Sequence, residues 1–421
     1  MNQECIGENM TGIRCDANSI IASGHMMRCL TIAKELVRKG EAVTFFLADN
    51  ESKALFDTYV CNKQAGDLTS DINADAALTA EGNRQKSAEI TSVVLGSNWQ
   101  DMEGELSILS KEIQERKIKR LLVDSYRVTR DYFKAIKTLC PVAYMDDLNE
   151  DTYPVDMLIN YSGYYKTLGY EESYKESVGY RGIPTALLLG LSYAPLREQF
   201  YRPEEENVNI RGNEQGAENK KEESSHASGK ENGMQNLSVL LTSGGADTKS
   251  MLLSTLLRAD RAGLVTDKNS DPVFSKEVQI TWHVVVGSLV RDDKKITEFA
   301  DAHPSVVVHK AVTDMAGLMR KCDIAVCAAG TMLTECAAIG LPAIFYQVAD
   351  NQKYNVEFWG RTGGMVFAGD ATDDGSDVTR NICSQIKTLL QENALSEMRE
   401  NLSGITDGRG AQRIAKALLE L

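Results

Sequence analysis

Gly24, His25 and Arg28, with Arg14 and Asp16 a short step upstream, are the residues whose types and spacing could do chemistry. An imidazole titrates near neutral pH and can take a proton from an attacking hydroxyl. A glycine before it lets the backbone come close to a ligand, and two arginines and an aspartate would gather polar chemistry around it. These residues need positioning elements. Ile13 to Cys15 reads as the end of a strand, and Asp16 to Ser23 is polar enough for a loop. From Met26 the apolar residues fall at helical spacing (Met26, Met27, Leu30, Ile32, Ala33, Leu36, Val37), and Gly40 is a stop. Gly24 and His25 therefore sit where a strand hands over to a helix. In an open parallel sheet that is the carboxyl edge, where ligands bind, and free N–H groups at a helix start favour anions. A lone histidine there is more often a cap or a packed side chain. Its company raises the functional reading.

Two further stretches have the same placement. Ser243-Gly244-Gly245 follows an apolar strand, so its backbone N–H groups could approach phosphate oxygens, although such pairs are often mere turn geometry. It is neither a dinucleotide fingerprint nor a phosphate loop. Gly330-Thr331-Met332-Leu333-Thr334-Glu335 opens a helix with a small-residue turn and puts a carboxylate one turn inside it. That carboxylate could accept from both hydroxyls of a ribose, or could simply complement the helix dipole. His226, His283, His303 and His309 show no metal-ligand spacing with a carboxylate or cysteine, so neither metal nor cofactor is expected.

The chain has 421 residues, 43% of them hydrophobic and 25% charged, enough for two domains each with its own core. A net charge of −14 argues against a nucleic-acid partner. No apolar run reaches the length of a membrane span, and the polar, acidic Met1 to Thr11 does not read as a secretory signal. Nine cysteines without a Cys-x-x-Cys pair suit reduced thiols in a cytoplasm. Strand and helix signals alternate through both halves, which implies two doubly wound parallel-sheet α/β domains of Rossmann type facing a cleft. The N-terminal domain is expected over residues 1–203, with a polar insertion at Asn62 to Glu89. The segment 204–235, nearly devoid of apolar residues, reads as a disordered linker or inserted loop. A second domain follows over 236–410, then an amphipathic terminal helix over 411–421. No signal of oligomeric state is visible.

Arg14-Cys15-Asp16-Ala17 with Gly24-His25-Met26-Met27-Arg28-Cys29-Leu30 resembles the opening of the UDP-2,4-diacetamido-2,4,6-trideoxy-β-L-altropyranose hydrolases of pseudaminic acid biosynthesis. Those enzymes are relatives of spore-coat polysaccharide proteins and of the transferase that adds N-acetylglucosamine to lipid I. The similarity continues in order through Val123-Asp124-Ser125-Tyr126, Asp146-Asp147-Leu148, Ile159-Asn160-Tyr161, Leu189 to Arg197, Gly244 to Asp247, Thr331 to Glu335 and Asn351-Gln352. It implies a B-type glycosyltransferase-like fold whose C-terminal half holds the nucleotide. It also implies hydrolysis of a UDP-sugar at the sugar C1–O bond without metal. On that resemblance His25 would activate water, Tyr126 would orient His25 or the sugar, and Asn351 with Gln352 would touch substrate. Gly244, Gly245, Thr331, Leu333 and Glu335 would hold UDP, Glu335 at the ribose. A glycosyltransferase on the same scaffold, or a sugar-nucleotide binding module without catalysis, is the alternative. Release of sugar without an acceptor would separate the first two.

Overall fold

A computed structural model describes residues 10–18, 24–61, 89–202, 230–231, 234–245, 247–266, 278–287, 290–373, 375–392 and 394–421. The chain divides into two compact units, residues 1–198 with 408–421 and residues 199–407. The division falls at Glu198/Gln199, a few residues before the expected end of the first domain. The proposed insertion, apart from Glu89, and residues 204–229 of the proposed linker lie outside the described residues.

In the first unit seven strands form one parallel sheet: β1 (Met10–Cys15), β2 (Ala42–Leu47), β3 (Ile90–Val94), β4 (Arg120–Asp124), β5 (Val142–Met145), β6 (Met157–Asn160) and β7 (Ala186–Leu189). Their order is β3-β2-β1-β4-β5-β6-β7, so the chain winds outward from β1 in one direction and from β4 in the other. The switch falls between β1 and β4, where Cys15 pairs with Asp124. Side chains alternate across the sheet. Ile13, Cys15, Leu122, Ala143, Met145 and Ile159 face one core, shared with the helix Gly24–Arg38. Leu121, Val123, Val142, Tyr144 and Leu158 face the other.

The terminal helix, Gly410–Leu419, belongs to this unit. Its buried Ala411, Ile414, Ala415 and Leu418 join the core that contains Ile13 and Met26. Gly410 is held tightly, since a Cβ there would come within 2.2 Å of the Ala194 carbonyl oxygen.

The second unit carries β9 (Met234–Thr242), β10 (Val278–Val286), β11 (Val306–Lys310), β12 (Ile324–Ala328), β13 (Ala343–Gln347) and β14 (Met365–Asp370), in the parallel order β11-β10-β9-β12-β13-β14. A two-residue strand, β8 (Lys230–Glu231), pairs antiparallel with the start of β9. These strands begin inside the stretch read from sequence as linker. The switch lies between β9 and β12, so the turn after Thr242 and the turn after Ala328 meet ligand-binding geometry of the same kind as in the first unit. Both units are doubly wound α/β folds.

Candidate functional site

At the carboxyl edge of the first unit, parity decides what meets the helix Gly24–Arg38. Asp124 follows Leu122 by two positions and falls on the helix-facing side of β4. The imidazole Nδ1 of His25 lies 2.7 Å from Asp124 Oδ1. A carboxylate only accepts, so Nδ1 carries the proton and donates it. That leaves Nε2 as the basic nitrogen, and it makes no hydrogen bond among the described residues.

Arg28, one helical turn on, donates from Nε to Asp124 Oδ2 at 2.6 Å and from Nη2 to Asp124 Oδ1 at 2.5 Å. Its Nη1 donates to Asp147 Oδ2 at 3.1 Å and to the Tyr161 hydroxyl at 2.5 Å. One guanidinium thus ties together the segments that leave β4, β5 and β6. Burial disfavours the charge of Asp124, but Arg28 and His25 outweigh it and hold the carboxyl well below its ordinary range. Tyr126 sets its ring edge-on to His25, with centroids 4.8 Å apart, and donates its hydroxyl to Asp147 Oδ2 at 2.8 Å. Burial and the Asp147 carboxylate push that phenol upward, so it stays a donor. Tyr126 remains 48% exposed, which gives a ligand access to the ring beside His25. Gly24 is exposed, with open space around its Cα.

Two expectations are corrected here. Arg14 and Asp16 do not join His25, because Arg14 points to the opposite face of β1. It is fully buried and donates to Glu105 Oε1 and Oε2, each at 2.7 Å, and to Asp16 Oδ2 at 2.6 Å. Asp16 in turn accepts from the Ala48 amide at 2.8 Å. The two hold the core instead of a ligand. Arg28 does join His25, but its guanidinium is engaged by carboxylates and a phenol of its own chain, so it positions the site. Sequence reasoning missed Asp124, Asp147 and Tyr161 as partners of His25 and Arg28. The available signal was alternation, since Asp124 keeps the parity of Leu122, and Asp147 that of Met145.

In the second unit Gly244 has φ +83°, a left-handed conformation suited to glycine. A Cβ on Gly287, after β10, would lie 2.6 Å from the Gly244 carbonyl oxygen and 2.5 Å from that of Gly245. The glycine turn is therefore packed against the next loop, while positions above Gly244 and Gly245 are open. The helix Met251–Arg261 begins under Asp247, whose carboxylate accepts from the Met251 amide at 2.8 Å and the Leu252 amide at 2.9 Å. Those donors are occupied, and the Gly244 amide donates to Thr242 Oγ1 at 3.3 Å.

Thr331 is exposed at the start of the helix Met332–Ile339 and its side chain makes no cap bond. Leu333 is fully buried, and its amide donates to the Gly330 carbonyl. Its side chain packs in the interior of the unit. Glu335, half-buried, lies one turn into the helix. Gln352 accepts from the Val348 amide at 2.9 Å and so braces its own loop, while neighbouring Asn351 is exposed.

Among the described residues there is no group of three or more His, Cys, Asp or Glu side chains able to hold a metal ion, and no helix is long and apolar enough to cross a membrane. The described cysteines in both units are buried and unpaired by disulfides.

The two doubly wound units have the fold of the B-type glycosyltransferases. Comparison with solved structures agrees. MurG of Acinetobacter baumannii superposes over 98% of this chain and 100% of its own at TM-score 0.60 and 12% identity. The calicheamicin glycosyltransferase CalG4 does so over 98% and 99% at TM-score 0.51 and 14% identity. The S. aureus MnaA structure solved with UDP matches over 96% and 94% at TM-score 0.52 and 12% identity. In sequence, the family described as "Protein of unknown function (DUF354)" matches residues 273–370, from before β10 to the end of β14. The spore coat polysaccharide biosynthesis protein SpsG of Bacillus subtilis (strain 168) is 23% identical over 186 residues, 44% of this chain. That match spans half the length of SpsG.

Proposed function

We propose that the protein breaks the sugar C1–O bond of a UDP-sugar, with His25 as the general base. The observation that carries this reading is the His25–Asp124 pair at the switch point of the first sheet, with the Nδ1–H held by a buried carboxylate. In the reaction a hydroxyl oxygen attacks C1, its proton passes to His25 Nε2, and UDP departs with the electron pair of the broken bond. A nucleoside diphosphate is already a good leaving group, so the protein's tasks are to stabilise its charge and deprotonate the nucleophile. Gly244, Gly245, Thr331 and Glu335 stand at the carboxyl edge of the second sheet for the first task. Asn351 is the exposed polar side chain assigned to the substrate.

The nucleophile is an acceptor hydroxyl in the leading reading, which makes the protein a glycosyltransferase of polysaccharide biosynthesis. The likeness to SpsG and to glycosyltransferases supports it. Water as nucleophile is the second reading, favoured by the Gly24-His25-Met26-Met27-Arg28 stretch and Tyr126, which resemble the pseudaminic acid hydrolases. Incubation with a panel of UDP-linked deoxy-amino sugars decides. UDP formed only when an acceptor is added supports the transferase; stoichiometric UDP and reducing sugar without acceptor supports the hydrolase. Binding of the sugar nucleotide without turnover in either condition defeats both and leaves a binding module.

A further inference from the structure

A second charged site lies in the 199–407 unit, away from its glycine turn and its Thr331 helix start. The helices Met251–Arg261 and Val378–Glu392 border a pocket of about 330 Å³ lined by Arg258, Arg261, Arg380, Lys387, Ser384 and Cys383. Four cations around one pocket stand out in a chain of net charge −14. Local duties account for only part of them. Lys387 Nζ donates to the Ala262 carbonyl at 2.9 Å, at the helix end where a cation is favoured. Arg258 Nη2 and Arg380 Nε share one carboxylate, Asp377, at 3.1 and 3.2 Å.

Two of the four cations are exposed at the pocket. Arg261 is exposed and makes no hydrogen bond or ion pair among the described residues. Arg380 stands in the first turn of its helix, the end where a positive charge is disfavoured, and its side chain is 71% exposed. Buried Cys383 is part of the lining, and Ser384 adds a hydroxyl donor.

We propose that this pocket binds a phosphate-bearing anion of the size of pyrophosphate or a small phosphorylated metabolite. Guanidinium forks match phosphate oxygens in pairs, and the volume suits a small ligand. Among the described residues Asp377 is shared by Arg258 and Arg380, so an entering dianion meets the guanidinium groups of Arg258, Arg261 and Arg380. The site is separate from the proposed UDP-sugar chemistry and does not depend on it.

Inorganic pyrophosphate is titrated calorimetrically into the whole chain and into Arg261→Ser/Arg380→Ser, with UDP titrated into both. A vesicle arm, phosphatidylcholine with and without phosphatidic acid, tells a lipid headgroup from a soluble phosphate. Supporting results are a loss of about tenfold or more in the double variant for pyrophosphate or for the anionic vesicles, with UDP affinity unchanged. Both substituted side chains are exposed, and an unchanged melting temperature confirms that the variant folds. Equal binding by the two proteins in both arms, or no saturable binding in either, overturns the site.

Discussion

Replacing Asp124 by Asn keeps the shape of the side chain and removes the charge on which the His25 site is built. Asp124 is 1% exposed and accepts from Arg28 twice and from His25 once. Stranding one member of a buried ion pair costs about 3–5 kcal/mol. Arg28 would keep Asp147 at 3.1 Å and Tyr161 at 2.5 Å, so the expected loss is near the lower end, about 3 kcal/mol. For a unit of this size that is a fall of roughly 6–12 °C in melting temperature. Asn can also present an amide to Nδ1 and favour the other imidazole tautomer, so turnover per folded molecule should drop by about 10²–10⁴-fold.

The pH dependence has a definite sign. The folded carboxyl is held below its unfolded value near 3.9, so the contribution of Asp124 to stability is fully present above about pH 4. It is lost as pH falls further, towards the folded value. Denaturant titrations of wild type and Asp124→Asn at a series of pH values, with single-turnover UDP release, test this. A variant as stable and as active as wild type at neutral pH would refute the ion-pair reasoning.

Arg14→Met should separate stability from function. It leaves Glu105 and Asp16 buried without their cation, so unfolding free energy should fall by about 3–5 kcal/mol. The turnover of folded molecules should stay within a few-fold of wild type, and a large kinetic defect in a stable Arg14→Met protein would return Arg14 to the ligand site. Glu335→Ala should weaken UDP binding by roughly 1.5–3 kcal/mol, the range for hydrogen bonds to a charged group. Unchanged affinity by calorimetry would remove Glu335 from the ribose.

The strand-to-helix handover at Gly24-His25 was legible because apolar spacing changes period there. The helix begins at Gly24, two residues before the first apolar position used to place it. Position along the chain did not reveal which side of β1 each polar residue takes. Arg14 sits one residue from Cys15 yet faces the other core, and its main partner, Glu105, is 91 residues away. The partners of Arg28 are equally remote: Asp147 is 119 residues on and Tyr161 is 133. Such pairs are fixed by strand order, which alternation alone does not supply. The terminal helix shows the same limit. Its amphipathic face was readable, but that it returns to pack with the first unit depends on contacts with residues near Ala194 and the Gly24–Arg38 helix. In the second unit the glycine turn was legible as a turn, whereas the capture of the following helix start by Asp247 needs the carboxylate's orientation.

The most direct test of the general base is single-turnover release of UDP from a UDP-sugar by wild type and His25→Ala, under whichever acceptor condition supports turnover. The expected result is a folded variant that binds UDP as wild type does and releases it about 10²–10⁴-fold more slowly. If folded His25→Ala turns over at nearly the wild-type rate, His25 is a packing residue and the proposed chemistry at the first unit is wrong.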